Sequence, residues 1–438
     1  EMQRSLVGSE MCIRDRYILL NLVHHFGPIS RKKLIYLTDY RPASVSELTK
    51  ELLEEGLLVE TGHFSTGHGR KRVLLDINKD RLCAIGIGFS AASVTYIVAQ
   101  FNGVILQRLE TQMPAEMSKQ ELEDEILRQT KTLIAEFSEK EVVGIGLSEP
   151  LYHLLSYWNE SILDLAYTHF NDWIRGALRQ RMEQEMHLHV DTFSAVTLPA
   201  LAEQRFGAAK GVNNFFCVEL SNGIGCSIFC NGRVVSGANG VAGELGHTVV
   251  DTIEPDAAPC YCGKPGCVEQ RASFPALEQN IRAALDRGVS SLLQTDYQRG
   301  KPLSVQQIRE ALDHGDRLCR HYVGLMAQRL GIAIANAVNL LNPELVVLYG
   351  FMVELGDFFL ERLETAIREN TLVLSNQFAI RVSRSLEQIL PLGAIGELFS
   401  SYLKINEYQW IYDLQASELD MDAEADSDAE NDQQEETE

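Results

Sequence analysis

The chain has 438 residues, of which 45% are hydrophobic, and this allows two or three globular domains with substantial cores. No apolar run approaches the roughly 20 residues that span a bilayer, and no secretory signal opens the sequence. We therefore expect a cytoplasmic protein without a membrane partner. The formal net charge of −22 by itself opposes DNA binding, but charge has to be judged region by region.

The charge is distributed unevenly along the chain. Eleven Asp or Glu residues and no basic residue lie between Ser417 and Glu438. This composition predicts a disordered acidic tail over 413–438, although such a segment could also repel nonspecific DNA or bind a basic partner. Between Tyr17 and Lys79, in contrast, nine Lys or Arg stand against seven Asp or Glu. The slight basic excess is therefore N-terminal.

Three short helices are predicted near the N-terminus. Residues 1–16 show no clear periodicity, and we expect them to be unstructured or artefactual. A helix from Tyr17 should end at the Gly27-Pro28 pair, and Ser30 is suited to cap a second one. Apolar residues at helical spacing then mark a third helix that ends at Gly56. These residues are Val45, Leu48 and Leu52.

Two strand-like runs follow the third helix, at 57–60 and 73–77, and a basic glycine-containing loop joins them. Three helices and a basic β-wing are the parts of a winged helix-turn-helix, in which the third helix enters the major groove. The alternative is a three-helix unit for protein contacts with an ordinary solvated turn.

The candidate DNA contacts lie on the third helix and the wing. Polar side chains at 44, 46, 49 and 50 fall away from the apolar stripe of the helix. We predict that Ser44, Ser46 and Lys50 contact DNA, and that Arg70 and Lys71 of the wing contact the backbone or the minor groove.

The rest of the chain alternates strand-like and helical stretches, which predicts a large α/β region. Examples are the strand-like runs 83–87 and 215–220 and the amphipathic helix 317–341. Nine cysteines without a secretory context argue against a disulfide framework.

One histidine and three cysteines lie within twenty-one positions, and this set matches a closed tetrahedral structural zinc site. Gly263 and Gly266 allow the tight turn that such a site needs. The alternative is a group of unligated core thiols beside a lone histidine. The predicted zinc ligands are His247, Cys260, Cys262 and Cys267.

This block resembles the ROK family of bacterial repressors and sugar kinases. The resemblance rests on an E-x-G-H stretch that ends at His247 and a C-x-C-G-x-x-G-C-x-E knuckle that ends at Glu269. It extends from Tyr17 to about Leu403, including the N-terminal winged helix that the family's repressors carry. It implies that Glu244, His247 and Glu269 contact the hydroxyl groups of a sugar effector.

The resemblance also implies a fold class: α/β, with an N-terminal winged helix-turn-helix followed by a two-lobed actin-like ATPase or sugar-kinase fold. The expected divisions are 1–16, the DNA-binding domain 17–79, a small lobe of 80–200 plus 390–412, a large lobe of 201–389, and the tail 413–438.

Kinases of this family carry a catalytic aspartate in an N-D-x-N stretch, and the corresponding position here is Ala195. An alanine cannot act as a base, and Asp191 lies four residues earlier, in a different direction. The first phosphate loop has lost its acidic residue, and bulky neighbours flank Gly350 in the adenosine loop. Where the family usually has Pro-Gly, this chain has Ser148-Glu149.

The sequence therefore predicts a non-catalytic transcriptional repressor of carbohydrate-related genes. Its expected partners are a double-stranded DNA operator, a small carbohydrate effector and a second copy of itself, as a homodimer or a dimer of dimers. Structural Zn²⁺ is the expected cofactor. The alternatives are an ATP-dependent, glucokinase-like sugar kinase and a protein-regulated adaptor.

Overall fold

The computed structural model folds as two compact units. One comprises 1–83, 137–143 and 398–438, and the other 84–136 and 144–397. The structure describes residues 2–64, 72–90, 93–114, 117–149, 171–250, 260, 262–298, 300–383, 388–404, 407–408 and 411, without the side chains of residues 2–13, 63, 64, 72 and 298. The predicted tail and the wing residues Arg70 and Lys71 lie outside the described residues.

The first unit contains the predicted helices and wing strands. Their order is α1 (Met2–Phe26), β1 (Ile29–Ser30), α2 (Arg31–Thr38), α3 (Pro42–Glu54), β2 (Leu58–Phe64) and β3 (Arg72–Ile77). The three strands form an antiparallel sheet in the order β1-β3-β2. Ser30 caps α2 as predicted, because its hydroxyl accepts a hydrogen bond from the backbone N–H of Lys33.

The apolar stripes predicted for these helices form the core of the first unit. Val45 and Leu52 of α3 are fully buried, and so are Leu22 of α1 and Leu34 of α2. Leu75 of β3 is also fully buried. Packing of the amphipathic faces rather than helix propensity therefore holds the short helices α2 and α3 in place.

The expectation that this segment is unstructured is wrong for residues 2–16, which belong to α1. The helix is tied down by polar contacts near its middle. Arg16 pairs with Glu55 beyond the end of α3, and the hydroxyl of Tyr40 donates to Asp15 over 2.6 Å. No proline interrupts Met2–Phe26, so helical structure continues toward the N-terminus.

Two distant segments complete the first unit, which is thus larger than the predicted 17–79. The fully buried side chain of Asn21 donates to the backbone oxygen of Leu403 over 2.7 Å. The hydroxyl of Tyr402 donates to Glu141 over 3.3 Å. A buried amide needs a partner, and here the partner comes from 382 residues away.

The second unit contains two five-stranded sheets. One has the order β6-β5-β4-β7-β8. Its strands are β4 (Leu82–Phe89), β5 (Ser93–Gln100), β6 (Ile105–Gln112), β7 (Glu141–Ser148) and β8 (Val190–Phe193), with β7 and β8 parallel. The helical elements beside it in sequence are α4 (Lys119–Glu136), the π-helix Ile174–Leu178 and α5 (Arg179–Met186).

The other sheet has the order β11-β10-β9-β12-β13. Its strands are β9 (Phe215–Leu220), β10 (Ile224–Cys230), β11 (Arg233–Val234), β12 (Leu345–Tyr349) and β13 (Ala379–Val382). Strand β9 pairs antiparallel with β10 and parallel with β12. The α-helices that follow α5 in the chain are α6 (Leu198–Phe206), α7 (Val268–Ala272), α8 (Phe274–Asp286), α9 (Gln294–Gln298), α10 (Val305–Asp313), α11 (Arg317–Leu341), α12 (Asp357–Asn370) and α13 (Ile389–Tyr402). The last residues of α13, from Leu398, belong to the first unit.

The helix α11 has the predicted bounds and lies in the core beside α12. By length and composition alone it is apolar enough to cross a membrane. Half of its most apolar window is buried inside the protein, including Val323, Leu330 and Val338, which are fully buried. This burial is typical of the central helix of a globular domain.

Candidate functional site

The four predicted metal ligands come together in the second unit. Their ligand atoms all lie within 4.8 Å of one another. The sulfur of Cys260 is 3.7 Å from Nδ1 of His247, and the sulfurs of Cys262 and Cys267 are 3.6 Å apart. This group of side chains could hold a metal ion.

The spacing of these atoms suits a tetrahedral zinc site. With zinc bonds of about 2.3 Å to sulfur and 2.0–2.1 Å to nitrogen, two ligand atoms of a tetrahedron lie about 3.6–3.8 Å apart. Both measured distances are within about 0.2 Å of that range. These two pairs have the spacing expected for ligands of one zinc ion, and all four ligand atoms lie within 4.8 Å of one another.

Local backbone geometry holds the cluster together. Thr248 accepts the N–H of Val268, and Val249 forms an isolated bridge with Cys267, so the two parts of the cluster are joined. Gly243 has a φ of +93°, and a Cβ there would lie 1.8 Å from the oxygen of Cys226. Only glycine fits this position, which starts the turn into the E-x-G-H stretch.

The predicted effector residues lie beside the metal cluster. Nε2 of His247, the nitrogen that faces away from Cys260, is 3.7 Å from a carboxylate oxygen of Glu244. Glu269 accepts the backbone N–H of Ile224 over 2.9 Å. Burial raises the pKa of Glu244, and the nearby Glu269 raises it further. The structure therefore brings Glu244, His247 and Glu269 together.

The sequence did not point to a third carboxylate in this neighbourhood, that of Glu219. Burial raises its pKa to about 7, and the charge of Glu269 contributes to the increase. The buried hydroxyl of Tyr349 donates to Glu219 over 3.3 Å. These two residues face each other across the parallel pair β9 and β12.

The kinase positions carry no catalytic carboxylate where the family resemblance expects one. Ala195 is buried, in a turn just after β8. Asp191 lies within β8, where it interacts with His189 at 3.8 Å and with its own strand backbone. Asp191 therefore lies inside the strand, and Ala195 lies in the turn that follows it.

The glycines of the altered first phosphate loop have a packing role. A Cβ at Gly86 would lie 2.2 Å from the backbone oxygen of Pro391, and one at Gly88 would lie 2.9 Å from the proline ring. Close packing against α13 therefore requires both glycines. Their presence does not argue for a bound phosphate.

The Ser148-Glu149 departure from the family pattern forms an ion pair. Glu149 follows β7, and its N–H donates to the oxygen of Phe193 at the end of β8. Arg175 holds both oxygens of Glu149 at 2.6 Å, and the carboxylate is largely buried. A bidentate pair of this kind fixes both side chains.

In the first unit, α3 presents the predicted DNA-contacting side chains to solvent. Ser44, Ser46 and Lys50 are all exposed. Ser46 donates to the oxygen of Pro42 in its own helix, and Lys50 lies 3.6 Å from Glu54. Thr49, which was expected on the same face, is fully buried and bridges the oxygen of Val45 and Nε of Arg31. Its hydroxyl therefore makes hydrogen bonds within the first unit and does not face solvent.

The chain is similar in sequence to bacterial transcription regulators. The xylose repressor of Caldicellulosiruptor bescii is 30% identical over 401 residues, covering 90% of this chain and 97% of that protein. The DNA-binding transcriptional dual regulator NagC of Escherichia coli is 29% identical over 352 residues, covering 80% and 84%.

A crystal structure of a ROK family transcriptional regulator, described as a homolog of E. coli MLC protein, superposes with a TM-score of 0.72 at 24% identity. It covers 90% of this chain and 98% of its own, which shows a shared fold. The ROK family profile matches residues 83–394. The resemblance is thus confirmed, and the chain belongs to the ROK family.

Proposed function

We propose that the protein is a DNA-binding transcriptional repressor of carbohydrate-related genes with a sugar-sensing second unit. The observation that carries the proposal is the exposed polar face of α3, the last of three helices that lie beside the sheet β1-β3-β2. The names of its relatives, a xylose repressor and a DNA-binding regulator, support the same function. We expect it to act in the cytoplasm.

DNA would be bound by α3 in the major groove. Its buried residues fix the helix to the unit, and this leaves Ser44, Ser46 and Lys50 available to base edges and phosphates. Arg70 and Lys71 are proposed to contact the backbone or minor groove from the wing. A helix-turn-helix reads one half-site, so we propose a homodimer, or a dimer of dimers, on a pseudo-palindromic operator.

The effector would be a sugar or sugar phosphate bound by Glu244, His247 and Glu269. Carboxylates accept hydrogen bonds from vicinal hydroxyls, and these three side chains lie next to one another. The effector can change DNA affinity only to the extent that it binds the DNA-competent and DNA-incompetent states differently.

His247, Cys260, Cys262 and Cys267 are proposed to hold a structural zinc ion. The fit of their spacing to a tetrahedron supports this assignment. Four protein ligands leave no open position for a catalytic water. His247 would use Nδ1 for the metal, which leaves Nε2 facing Glu244, so metal binding orients one of the effector residues.

Sugar phosphorylation is the alternative from a different class, and Ala195 argues against it. A kinase needs a carboxylate to take the proton of the attacking hydroxyl, and an alanine offers no such group. A protein-regulated adaptor is the third possibility. It would not need the exposed polar face of α3.

The DNA-binding proposal is tested by selecting duplexes from a random library with the full-length, zinc-loaded protein. We expect an enriched pseudo-palindromic site whose recovery falls at least about tenfold when Ser44 and Ser46 are replaced by Ala. The matched control is Ser236→Ala, an exposed serine of the second unit. Failure to enrich any sequence would overturn the proposal.

The sensing proposal is tested by thermal unfolding with a panel of sugars, sugar phosphates and ATP. A shift with one sugar and none with ATP supports a non-catalytic sensor, and Glu244→Gln should abolish that shift. A shift with ATP accompanied by sugar phosphorylation would establish the kinase alternative. No shift with any compound would favour regulation by a protein partner.

A further inference from the structure

Five large aliphatic side chains are exposed together at one end of the helix pair α11 and α12. In the described part of the chain, the three most exposed large apolar residues are among them: Leu374, Leu340 and Val373 are 86%, 83% and 83% exposed. Leu372 is 60% exposed and Leu341 is 44% exposed. These five residues are called the aliphatic patch.

The side chain of Asn339 brings the two parts of the patch together. Its amide group, one residue before the patch, donates to the backbone oxygen of Asn370 over 3.0 Å, and its oxygen accepts the N–H of Leu372 over 2.8 Å. Further back along the helix pair, a Cβ at Gly331 would lie 2.4 Å from that of Ala366. The end of α11 and the segment after α12 therefore form one surface.

The patch lies at the opposite edge of the sheet from Glu219 and Tyr349. Helix α11 ends at Leu341, and the chain enters β12 at Leu345. Strand β12 then leads away from this edge to Tyr349, which contacts Glu219 at the carboxyl ends of the parallel strands β9 and β12. Ligands of open α/β sheets bind at the carboxyl ends of the strands. The patch is therefore not part of the effector site.

Neither segment that forms the patch contains a charged residue. The stretches 330–343 and 370–380 have no Asp, Glu, Lys, Arg or His, although 23% of the chain is charged. Glu344 and Glu369 are the nearest acids along the chain, and Glu344 accepts a hydrogen bond from the side chain of Asn214. A nucleic acid or a strongly basic protein would therefore find no ionic contact within the patch.

The area of the patch matches what a stable dimer needs. The exposed fractions of its five residues correspond to roughly 600 Å² of accessible surface, the upper limit for the largest apolar patch of a typical monomer. Two copies that cover each other's patch would bury about 1,200 Å², which reaches the range of specific, stable interfaces. An apolar centre with an uncharged polar rim is typical of homodimer interfaces. The exposed amides next to the patch along the chain are those of Asn336, Asn339, Asn342 and Asn370.

From these observations we propose that the aliphatic patch pairs with the same patch of a second copy of the chain. A two-fold axis allows one surface to serve both copies. Each copy has a net charge of −22, which opposes association through charged surfaces, and the patch offers contact without placing carboxylates against each other. The pairing rests on the proposed function insofar as it supplies the homodimer for the operator, but it does not require DNA.

The pairing is tested without DNA, by sedimentation velocity of the full-length, zinc-loaded protein over a range of concentrations. We expect a species of twice the chain mass of 49.0 kDa. The double variant Leu340→Lys, Leu374→Lys should raise the dissociation constant at least about a hundredfold, because pairing would bury like charges. Both residues are exposed, and a lysine suits the C-terminal end of α11, so the fold should be kept. Zinc content and circular dichroism verify this.

A milder variant tests the patch without added charge. Leu374→Ala removes only apolar area from each copy, and it should raise the dissociation constant at least about tenfold. The matched control is Leu292→Lys, a 61% exposed leucine of the second unit outside the patch. It should leave the pairing unchanged.

The outcomes separate the pairing from the proposed function. A natural protein that stays at the chain mass at all concentrations overturns the pairing, and so does an assembly that the double variant leaves intact. A dimer that becomes a monomer, or a tetramer that becomes a dimer, supports it. If the natural protein pairs through the patch but selects no DNA sequence, the pairing stands and the proposed DNA-binding function is overturned.

Discussion

The predicted metal-ligand cluster and the first unit are built in opposite ways. All four metal ligands lie between His247 and Cys267, and backbone bonds within this stretch bring them together. The first unit, in contrast, joins the N-terminal helices to 137–143 and 398–411, so its core depends on residues hundreds of positions apart. A group of ligands within one short stretch can be recognised from the sequence. A core that includes segments from distant parts of the chain cannot be recognised in this way.

The largest expected effect comes from breaking the local cluster. Replacement of the fully buried Cys267 by Ser should remove bound zinc and lower the free energy of unfolding by at least about 3 kcal/mol, because metal binding and folding of the knuckle are coupled. Metal content by elemental mass spectrometry and thermal unfolding measure the two effects. A Cys267→Ser protein that keeps one zinc per chain at natural stability contradicts the assignment.

The control is Cys230→Ser, a partly exposed thiol outside the cluster. It should retain zinc and change stability by no more than about 1 kcal/mol. Chelation of the natural protein should reproduce the effect of Cys267→Ser, since both leave the knuckle without its metal.

The long-range construction of the first unit is tested at Asn21. The change Asn21→Ala removes the buried hydrogen bonds to Tyr17 and Leu403, and should cost about 2–3 kcal/mol. Backbone amide hydrogen exchange should become faster both in α1 and in residues 398–404. The exposed Thr61→Ala serves as the control. Faster exchange in α1 alone would mean that the distant segment does not stabilise the unit.

The carboxylate of Glu219 makes the second unit sensitive to pH. The folded protein holds its proton more tightly than the unfolded chain, since burial raises the pKa from 4.5 to about 7. The contribution of this group to the free energy of unfolding is therefore lost as the pH rises from about 4.5 to about 7. Above about pH 7 this contribution no longer changes with pH. Glu219→Gln should raise stability at pH 8, relative to the natural protein, by about 1–2 kcal/mol more than at pH 5.

Urea unfolding of both proteins at the two pH values measures this difference. The amide of glutamine still accepts the hydrogen bond from Tyr349, so the comparison isolates the charge. The exposed Glu354→Gln is the matched control and should show no such pH dependence. An equal effect of Glu219→Gln at both pH values would rule out a buried ionisation.

The smallest expected effect is that of Lys50→Ala. Lys50 and Glu54 are both about two-thirds or more exposed, so loss of their pair should change stability by less than about 0.5 kcal/mol. DNA affinity should fall, and the slope of log affinity against log salt should decrease by about one if Lys50 contacts a phosphate. An unchanged slope would remove Lys50 from the interface. Lys210→Ala, an exposed lysine of the second unit, is the control.

Residue periodicity predicted most elements of the fold. The bounds of α11 and β9 are those expected, because buried apolar runs with clear ends determine them. Thr49 was assigned to the polar face because its side chain is polar, but it lies four residues after Val45 and three before Leu52, which is the spacing of the apolar face. Its hydroxyl is buried and accepts a hydrogen bond from Arg31 of α2. The spacing of a residue indicates the helix face on which it lies. Tertiary contacts then decide whether a polar side chain on that face is buried and hydrogen-bonded inside the protein.

The candidate site shows the same division. The spacing of histidine and cysteine identified the cluster in the sequence. Glu219 could not be identified in this way, because its contact with Tyr349 depends on the register in which β9 pairs with β12. The helix over residues 2–16 was also missed, because the contacts of Asp15 and Arg16 that hold it come from other elements. These features arise from pairing between distant segments.

The hydrogen bond between Asn21 and Leu403 in the first unit has a consequence for how the protein is made. A ribosome delivers the N-terminal helices first, but the partner of Asn21 is added only after nearly four hundred further residues have been synthesised. The nascent chain thus carries α3 long before the first unit is complete. The second unit is therefore synthesised before the first unit can be completed.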